Sequence, residues 1–297
     1  MKASTVESYR LRLWRVLDFI QARLDEPLPV ADLAAVACFS QHHFHRVFRG
    51  MVGETVQNHV RRLRLERAAL ALRHGDSGIL DIAQDAGYES NEAFSRAFKQ
   101  HCGVAPSVFR ERRELSFPRR PGAIAFGQMP PIDDLIVPGL GGPLMKVELV
   151  TRETLRLAGL RHVGPYNQCG NAWEKLLPMM GKLGWLSGCE SMVGLCHDDP
   201  ESTPAEEIRY DACVVVDETF EAFDDVTIHG IPGGTFARTV HVGPYDTLNK
   251  TYAALCGTWL PQSGHETRDE PAFEIYINDP ESTEPEDLVT EIYLPIV

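Results

Sequence analysis

The chain has 297 residues, 43% of them hydrophobic and 24% charged, which is typical of a globular protein with room for two hydrophobic cores. No apolar run approaches the roughly 20 residues of a membrane-spanning helix, so we expect no membrane partner. The seven cysteines include no C-x-x-C pair, which indicates free thiols in a reducing compartment and hence the cytoplasm. The net charge of -13 is unevenly distributed along the chain. Residues 1–120 hold 19 Lys and Arg against 14 Asp and Glu, while the remaining residues hold 10 Lys and Arg against 28 Asp and Glu. This distribution favours a polyanion as partner of the first half and a small or cationic partner for the second.

The first predicted elements are a helix and a helix-turn-helix unit. Apolar residues recur every three or four positions over residues 4 to about 24, and Ser4 and Glu7 have the spacing of a capping box. After two prolines, "VADLAAVACFSQHHFHRVFRGMVG" has the pattern of a short helix, a tight turn and a second helix that Ser40 would cap.

The same pattern returns about 50 residues later. In "ILDIAQDAGYESNEAFSRAFKQHCG", Gly87 supplies the turn and Ser90 the cap. A helical repeat would also suit a protein-binding scaffold, but the spacing favours DNA. Residues 54–74 predict an uninterrupted helix of about 30 Å, close to the ~34 Å between successive major grooves on one face of the duplex. The chain is therefore expected to place two recognition helices in neighbouring grooves of double-stranded DNA.

Polar residues occupy the predicted exposed faces of both recognition helices. They are Gln41, His42, His45, Arg46 and Arg49 in the first unit, and Asn91, Glu92, Ser95, Arg96 and Lys99 in the second. The segments "FSQHHFHRVFRGMVGET" and "GYESNEAFSRAFKQHCGVAPSVFR" resemble the AraC/XylS transcription regulators, over residues 8 to 113. The resemblance implies that both faces contact DNA, with phosphate contacts from Arg49, Arg62, Lys99 and Arg110 and base contacts from the others.

The cluster His42, His43 and His45 raises the alternative of a metal site. Residues 42 and 45 share a helix face and residue 43 does not, so the three imidazoles do not converge on one ion. No cysteine or carboxylate stands nearby at zinc-site spacing. We therefore expect neither a metal nor a cofactor.

A segment rich in proline and glycine separates the two halves of the sequence. It predicts a linker over residues 116–145, between a double helix-turn-helix domain at 1–115 and a second domain at 146–297.

The second half also repeats itself. "HVGPYN" at 162–167 returns as "HVGPYD" at 241–246, and "DPEST" returns at an offset of 80. Each copy, at about 146–217 and 226–297, has the pattern of a βαββ unit, with helices at 171–182 and 245–255 and final strands at 208–216 and 288–296. The predicted fold is an all-α domain followed by an α+β domain, in which two copies pair about a pseudo-two-fold axis into one antiparallel sheet with helices on one face. The repeated His162 and His241 are expected to belong to the scaffold.

Alternation along the last strand places Glu291 and Tyr293 on the face away from residues 290, 292 and 294. We expect Glu291 to lie in a groove lined by aromatic residues, which suits a lipophilic or cationic small molecule. The candidate aromatic residues are Tyr293, Tyr276, Trp173, Tyr166, Tyr245 and Trp259. The alternative is that Glu291 lies on a solvated edge and the aromatic residues are core.

The corners, together with "WLPQSGHETRDEPAFEIYINDP" and "TEIYLPI", resemble the GyrI-like, or SHS2-repeat, ligand-binding domain over residues 145 to 297. The resemblance implies that Glu291 lies in a pocket between the copies and that the whole chain is a regulator of the right-origin-binding type. Some relatives in that family hydrolyse small strained substrates with a Tyr/Glu pair, which Glu291 would supply here together with Tyr293 or a tyrosine from another element.

The sequence thus predicts a transcription regulator rather than an enzyme. Its first half would bind DNA, its second half would sense a small-molecule effector, and RNA polymerase is a further possible partner. We expect the effector to change how the acidic half docks on the basic half. Two alternatives stay open: a small-molecule hydrolase recruited to DNA, and an inhibitor or sequestering protein that acts through the second half.

Overall fold

The first half of the chain is helical and the second half is built on one antiparallel sheet, as the two repeats predict. The computed structural model describes residues 5–112, 123–135, 145–186, 192–198 and 203–297, except for the side chain of His42. The helices of the first half are α1 (Thr5–Ala22), α2 (Val30–Ala37), α3 (Gln41–Val52), α4 (Val56–His74), α5 (Ile79–Asp85), α6 (Asn91–Cys102) and α7 (Pro106–Arg112). Among the described residues, none of the helices combines the length and the apolar character that a membrane crossing requires.

Both helix-turn-helix units form where the sequence predicts them, as the pairs α2–α3 and α5–α6. The turn of the second unit contains Gly87 at φ +81°, and the corresponding turn of the first contains Cys38 at φ +52°. The Ser90 hydroxyl accepts a hydrogen bond from the amide of Ala93 and so caps α6, whereas Ser40 precedes α3 without a side-chain cap. Ser4, the expected cap of α1, lies outside the described residues.

The long connecting helix α4 begins after Thr55, whose hydroxyl accepts from the amide of Asn58, and it runs 19 residues. At 1.5 Å per residue it is about 28 Å long. The described part of the proline- and glycine-rich segment packs on this helix and on α1. The Phe126 amide donates to Glu66 at 2.8 Å, and the Trp14 indole donates to the Pro130 carbonyl at 2.9 Å. Residues 123–135 are therefore fixed to the first half.

Apart from short 3-10 turns, the described residues of the second half form eight strands, the helix α8, and a second helical segment in which α9, a π-helical turn and α10 follow one another. These are β1 (Glu148–Arg152), β2 (Leu155–Val163), α8 (Gly170–Lys182), β3 (Met192–Cys196), β4 (Arg209–Val215), β5 (Val226–Ile231), β6 (Gly234–Val242), α9 (Leu248–Ala254), a π-helical turn (Leu255–Trp259), α10 (Leu260–Ser263), β7 (Phe273–Tyr276) and β8 (Val289–Pro295). The strand order is β1-β6-β8-β7-β3-β4-β2-β5. When the equivalent strands of the two copies are exchanged (β1 with β5, β2 with β6, β3 with β7 and β4 with β8), the same order results, read backwards. The predicted pseudo-two-fold axis therefore passes between β3 and β7.

Each copy has one strand more than the predicted βαββ unit. The extra strands, β1 and β5, cross to the other copy: β1 pairs with β6, and β5 pairs with β2. We call these two strands the exchanged arms. They escaped prediction because β1 is an edge strand with mostly exposed side chains and no clear apolar alternation.

The sheet has an apolar core on each face. Ile292 and Leu294 of β8 pack against α9 and α10, as the alternation predicts, while Tyr293 packs with Phe273 on the opposite face. We call these the helix face and the open face of the sheet.

The first helix-turn-helix unit and the second copy share one hydrophobic core. Buried residues of α1 and α3, such as Tyr9 and Phe48, belong to the same cluster as Leu255 and Leu260 of the second copy. The second helix-turn-helix unit and the first copy have separate clusters of their own. The shared core therefore joins the two halves through the first helix-turn-helix unit and the second copy.

Candidate functional site

The second recognition helix, α6, presents its polar face to solvent. Asn91, Glu92, Arg96 and Lys99 are exposed and Ser95 is half-buried, while Phe94 and Phe98 lie in the core beneath them. The cap at Ser90 and the glycine turn at Gly87 fix the start of this helix. An exposed polar face with two cations on a rigidly set helix suits the major groove of DNA.

The first recognition helix, α3, has one edge of its corresponding face against the second half, at Arg46. The guanidinium carbon of Arg46 lies 3.8 Å from the ring centroid of Tyr252 on α9, and His45, Arg46 and Arg49 are all half-buried. Three of the predicted base-facing residues on this helix have described side chains, and of these only Gln41 is exposed. This arrangement was not predicted, because an amphipathic pattern does not say what covers its polar face.

The contact between α3 and the second half is made backbone to backbone. A Cβ added to Gly257 would come within 2.1 Å of the backbone of Gly50, and a Cβ on Gly50 would come within 2.5 Å of the carbonyl oxygen of Ala253. Beside it, the buried His43 ring donates from Nε2 to the carbonyl of Glu270 at 2.8 Å. His43 thus faces the second half, and within the described ranges the His, Cys, Asp and Glu side chains form no group suited to a metal ion.

Arg62, which the resemblance places on phosphate, belongs to a buried network. Its guanidinium binds Glu54 at 2.7 Å and Glu66 at 2.9 Å, and its side chain is 11% exposed. Burial by itself would raise the pKa of Glu54, but hydrogen bonds from His59 and Arg62 lower it to about 2. The guanidinium also donates to the carbonyl of Ile124 at 2.9 Å, so Arg62 holds α4 and the linker together.

At the centre of the helix face lies a buried carboxylate, Glu274 of β7, which is 4% exposed. Three groups donate to it: the hydroxyl of Tyr252 at 3.0 Å, the hydroxyl of Tyr276 at 2.8 Å and the thiol of Cys196 at 3.4 Å. The hydroxyl of Tyr276 also lies 3.0 Å from that of Tyr210. We call these five residues the Glu274 cluster.

The cluster lies on the pseudo-two-fold axis, where the copies differ. Glu274 pairs in register with Gly194 of β3, which is also its counterpart in the first copy. A Cβ at Gly194 would lie 2.4 Å from the hydroxyl oxygen of Tyr276 and 2.7 Å from that of Tyr210. The absent side chain of one copy therefore provides the room for the tyrosine hydroxyls that hold the acid of the other.

Further aromatic residues surround the cluster between α8 and α9. The Trp173 indole donates to the Tyr210 hydroxyl at 3.0 Å, and both Trp173 and Tyr245 contact the ring of Tyr276 edge-on. Tyr166 contacts Tyr210 in the same way. Burial raises the pKa of Tyr210 and of Tyr276 well above its ordinary value, which keeps both hydroxyls protonated as donors.

The structure places Glu291 away from these aromatic residues, on the open face. Its partners are Arg238 and the hydroxyl of Tyr293, at 2.6 Å, and the hydrogen bond from Arg238 is the main reason that its pKa is lowered. The equivalent acid of the first copy, Asp211, is buried and pairs with Arg161, which lies directly opposite it on β2, and with the ring of His197 at 2.7 Å. Each copy thus has an acid–arginine pair here, formed from arginines at different positions.

These assignments change the expected site in two respects. The acid among the tyrosines is Glu274, and Tyr276, Trp173, Tyr166 and Tyr245, which were expected around Glu291, lie near Glu274 instead. The sequence carried a signal for this, since Glu274 aligns with glycine whereas Glu291 aligns with another acid. Trp259 lies elsewhere, stacked on His265. Glu291 and Tyr293 instead line an open depression of about 550 Å³ with Arg152 and Arg238.

The two H-V-G-P-Y corners are part of the scaffold, as the repeat predicts. His162 donates to the carbonyl of Pro165 at 3.1 Å, and His241 lies 3.3 Å from the carbonyl of Pro244. Each corner glycine adopts a positive φ that suits glycine, +143° at Gly164 in the first copy. The corners set the angle at which a strand of each copy meets its helix.

Comparison with known proteins agrees with this division. Residues 145–297 match the model of the GyrI-like small molecule binding domain, and residues 33–112 match a helix-turn-helix domain model.

The regulatory protein SoxS of Salmonella typhimurium is 32% identical over 105 residues, 35% of this chain and 98% of that protein. A DNA gyrase inhibitor of Erwinia billingiae is 31% identical over 157 residues, 51% of this chain and 97% of that protein. The right origin-binding protein of Escherichia coli is 34% identical over 117 residues, 39% of this chain and 38% of that protein. The chain spans little more than a third of the length of the first curated relatives that it matches.

Proposed function

The chain belongs to the family of proteins with a GyrI-like small molecule binding domain, and on that premise we propose that it is a DNA-binding transcription regulator controlled by a small-molecule effector. The first half binds duplex DNA through α3 and α6. The second half binds a lipophilic cation at the Glu274 cluster.

The DNA-binding part of the proposal is supported by the two helix-turn-helix units and by the surface of α6. The exposed Arg96 and Lys99 supply positive charge beside the polar groups of Asn91 and Glu92. The helix α4 spaces the units by about 28 Å, a distance that suits neighbouring grooves.

The single observation that carries the effector site is the buried carboxylate of Glu274 among tyrosine rings. Its three donors, two tyrosine hydroxyls and a thiol, stabilise negative charge without bringing a positive one. A cation on an apolar body would satisfy this carboxylate and pack its apolar surface on the aromatic rings.

The test uses tetraphenylphosphonium, a lipophilic cation, as probe of the full-length protein. We expect Glu274→Gln to weaken its binding at least about tenfold, since the loss of one charge-assisted contact is worth about 1.5–3 kcal/mol. Glu291→Gln removes the same charge from the open face and is expected to leave the affinity unchanged. Equal affinities for wild type and Glu274→Gln in isothermal titration calorimetry would reject the site.

Hydrolysis is the second candidate function, because hydroxyls of two tyrosines lie within hydrogen-bond distance of an acid. An enzyme of this kind would turn over small strained electrophiles, such as epoxides, with Glu274 and Tyr252 or Tyr276 at the reacting centre. Turnover by wild type that disappears in Glu274→Gln would establish catalysis. Binding without turnover would establish a receptor.

A further inference from the structure

One edge of the face of α3 that is expected to contact DNA packs on the second half. Arg46, one of its predicted base contacts, lies over the ring of Tyr252 at 3.8 Å. The hydroxyl of the same tyrosine donates to Glu274 at 3.0 Å. The guanidinium of Arg46 therefore lies on an aromatic ring of the Glu274 cluster, as a cationic group of an effector would.

The packing of α3 on the second half is close along its length. Gly50 and Gly257 meet backbone to backbone, at the π-helical turn that interrupts the helix between α9 and α10. At one side, Arg12 of α1 binds Glu266 at 2.8 Å, and at the other, His43 donates to the carbonyl of Glu270. The shared core lies between these contacts.

This arrangement keeps Arg46 from reaching a base edge. A recognition helix must place its polar face against base edges at the floor of a groove about 12 Å wide. In α3, His45, Arg46 and Arg49 are half-buried and Arg46 packs on α9, whereas most of the equivalent face of α6 is exposed. The cations of α6, Arg96 and Lys99, are thus accessible to DNA, and Arg46 of α3 is not.

We propose that this packing is an autoinhibited state, in which Arg46 acts as an internal ligand of the Glu274 cluster. The inference rests on the proposed function. A lipophilic cation that binds the face of Tyr252 and the carboxylate of Glu274 displaces Arg46, and α3 is then released to enter the major groove. Effector and DNA therefore bind with positive cooperativity, and each strengthens the binding of the other by the same factor.

Gly257→Ala tests the inference, because its methyl group forces α3 away from the second half and touches no DNA-contacting residue. Gly170→Ala on α8, where an added Cβ meets nothing within 4 Å, is the matched control. Affinity is measured by fluorescence anisotropy, on a duplex that the protein itself selects from random-sequence DNA. We expect Gly257→Ala to bind this duplex more tightly than wild type, within the roughly 5- to 150-fold range of allosteric couplings, and Gly170→Ala to match wild type. Affinity should also fall more steeply with salt in Gly257→Ala, since α3 then adds phosphate contacts.

A Gly257→Ala affinity equal to that of Gly170→Ala would overturn the inference. If Gly257→Ala does not fold, Glu266→Ala decides, since it removes the ion pair to Arg12 from a half-exposed side chain. It should tighten DNA binding by about two- to fivefold, the effect of an exposed pair worth about 0.4–1 kcal/mol, and an unchanged affinity would overturn the inference.

The probe separates failure of the inference from failure of the proposed effector site. Tetraphenylphosphonium should tighten DNA binding by wild type and leave Gly257→Ala unaffected. Probe binding that depends on Glu274 but leaves DNA affinity unchanged would overturn the autoinhibition and keep the effector site. Tighter DNA binding by Gly257→Ala without any probe binding would keep the autoinhibition and reject the lipophilic-cation site.

Discussion

Replacing Gly194 with alanine perturbs the Glu274 cluster with a single added carbon. The new Cβ would lie 2.4 Å from the Tyr276 hydroxyl oxygen and 2.7 Å from that of Tyr210, well inside the roughly 3.5 Å at which non-bonded heavy atoms pack. Both hydroxyls must move, which breaks the hydrogen bond between them and the one from Tyr276 to Glu274. A neutral hydrogen bond contributes about 1 kcal/mol and one to a carboxylate about 1.5–3 kcal/mol. Alanine loses less backbone entropy than glycine when it is fixed in a strand, which offsets about 0.5–1 kcal/mol of this loss. We therefore expect the free energy of unfolding to fall by about 2–3 kcal/mol.

Urea unfolding and titration with tetraphenylphosphonium measure the two consequences. The displaced hydroxyls no longer hold the carboxylate, so we expect the affinity for the probe to fall about tenfold, equivalent to 1.4 kcal/mol. Gly230→Ala is the control, because Gly230 is an exposed strand glycine whose added Cβ meets nothing within 4 Å. If Gly194→Ala matches Gly230→Ala in both stability and affinity, the hydroxyls do not organise Glu274 as described.

Three further substitutions test other parts of the structure. Arg96→Ala on α6 should weaken binding of a selected duplex by about 1–3 kcal/mol and of random DNA by less; equal losses in anisotropy titrations would show a phosphate contact only. Glu54→Gln should cost about 3 kcal/mol at neutral pH by removing the buried partner of Arg62. The pKa of Glu54 is about 2 in the folded protein against an ordinary 4.5. The stabilisation by Glu54 is therefore complete above about pH 4.5 and is lost as the pH falls towards 2. If the stability of wild type and variant changes in parallel over that pH range, the network is contradicted. His241→Ala should cost about 1–2 kcal/mol of stability and leave probe affinity unchanged, whereas loss of probe binding in calorimetry would make His241 part of the site.

The features that the sequence predicted are those that local pattern determines. Gly87 tolerates the positive φ that the turn requires, and the Ser90 hydroxyl accepts a hydrogen bond from the amide three residues on. The second unit therefore follows from a few neighbouring residues. The alternation around Tyr293 likewise fixes which residues of β8 face the helices.

The features that escaped prediction depend on residues far apart in the chain. Arg46 has the same character whether it contacts a base or the ring of Tyr252, so the sequence does not reveal its partner. The choice between Glu291 and Glu274 depended on the register of β3 against β7, which brings Gly194 opposite Glu274. Comparing the two copies position by position would have found this difference.

The exchanged arms also constrain the order in which the second half can fold. Glu148 of β1 pairs with Arg238 of β6, which leaves the ribosome 90 residues later, and β2 awaits β5 in the same way. The first copy therefore emerges with β2 unpaired along one side, and its own first strand has no partner within that copy. The chain loses entropy when such a long loop closes, and this loss precedes the stabilisation that strand pairing brings. Assembly of this sheet is therefore slow. Until the second copy is complete, the first presents an open strand edge to other chains, and nascent protein is most exposed to aggregation at that stage of synthesis.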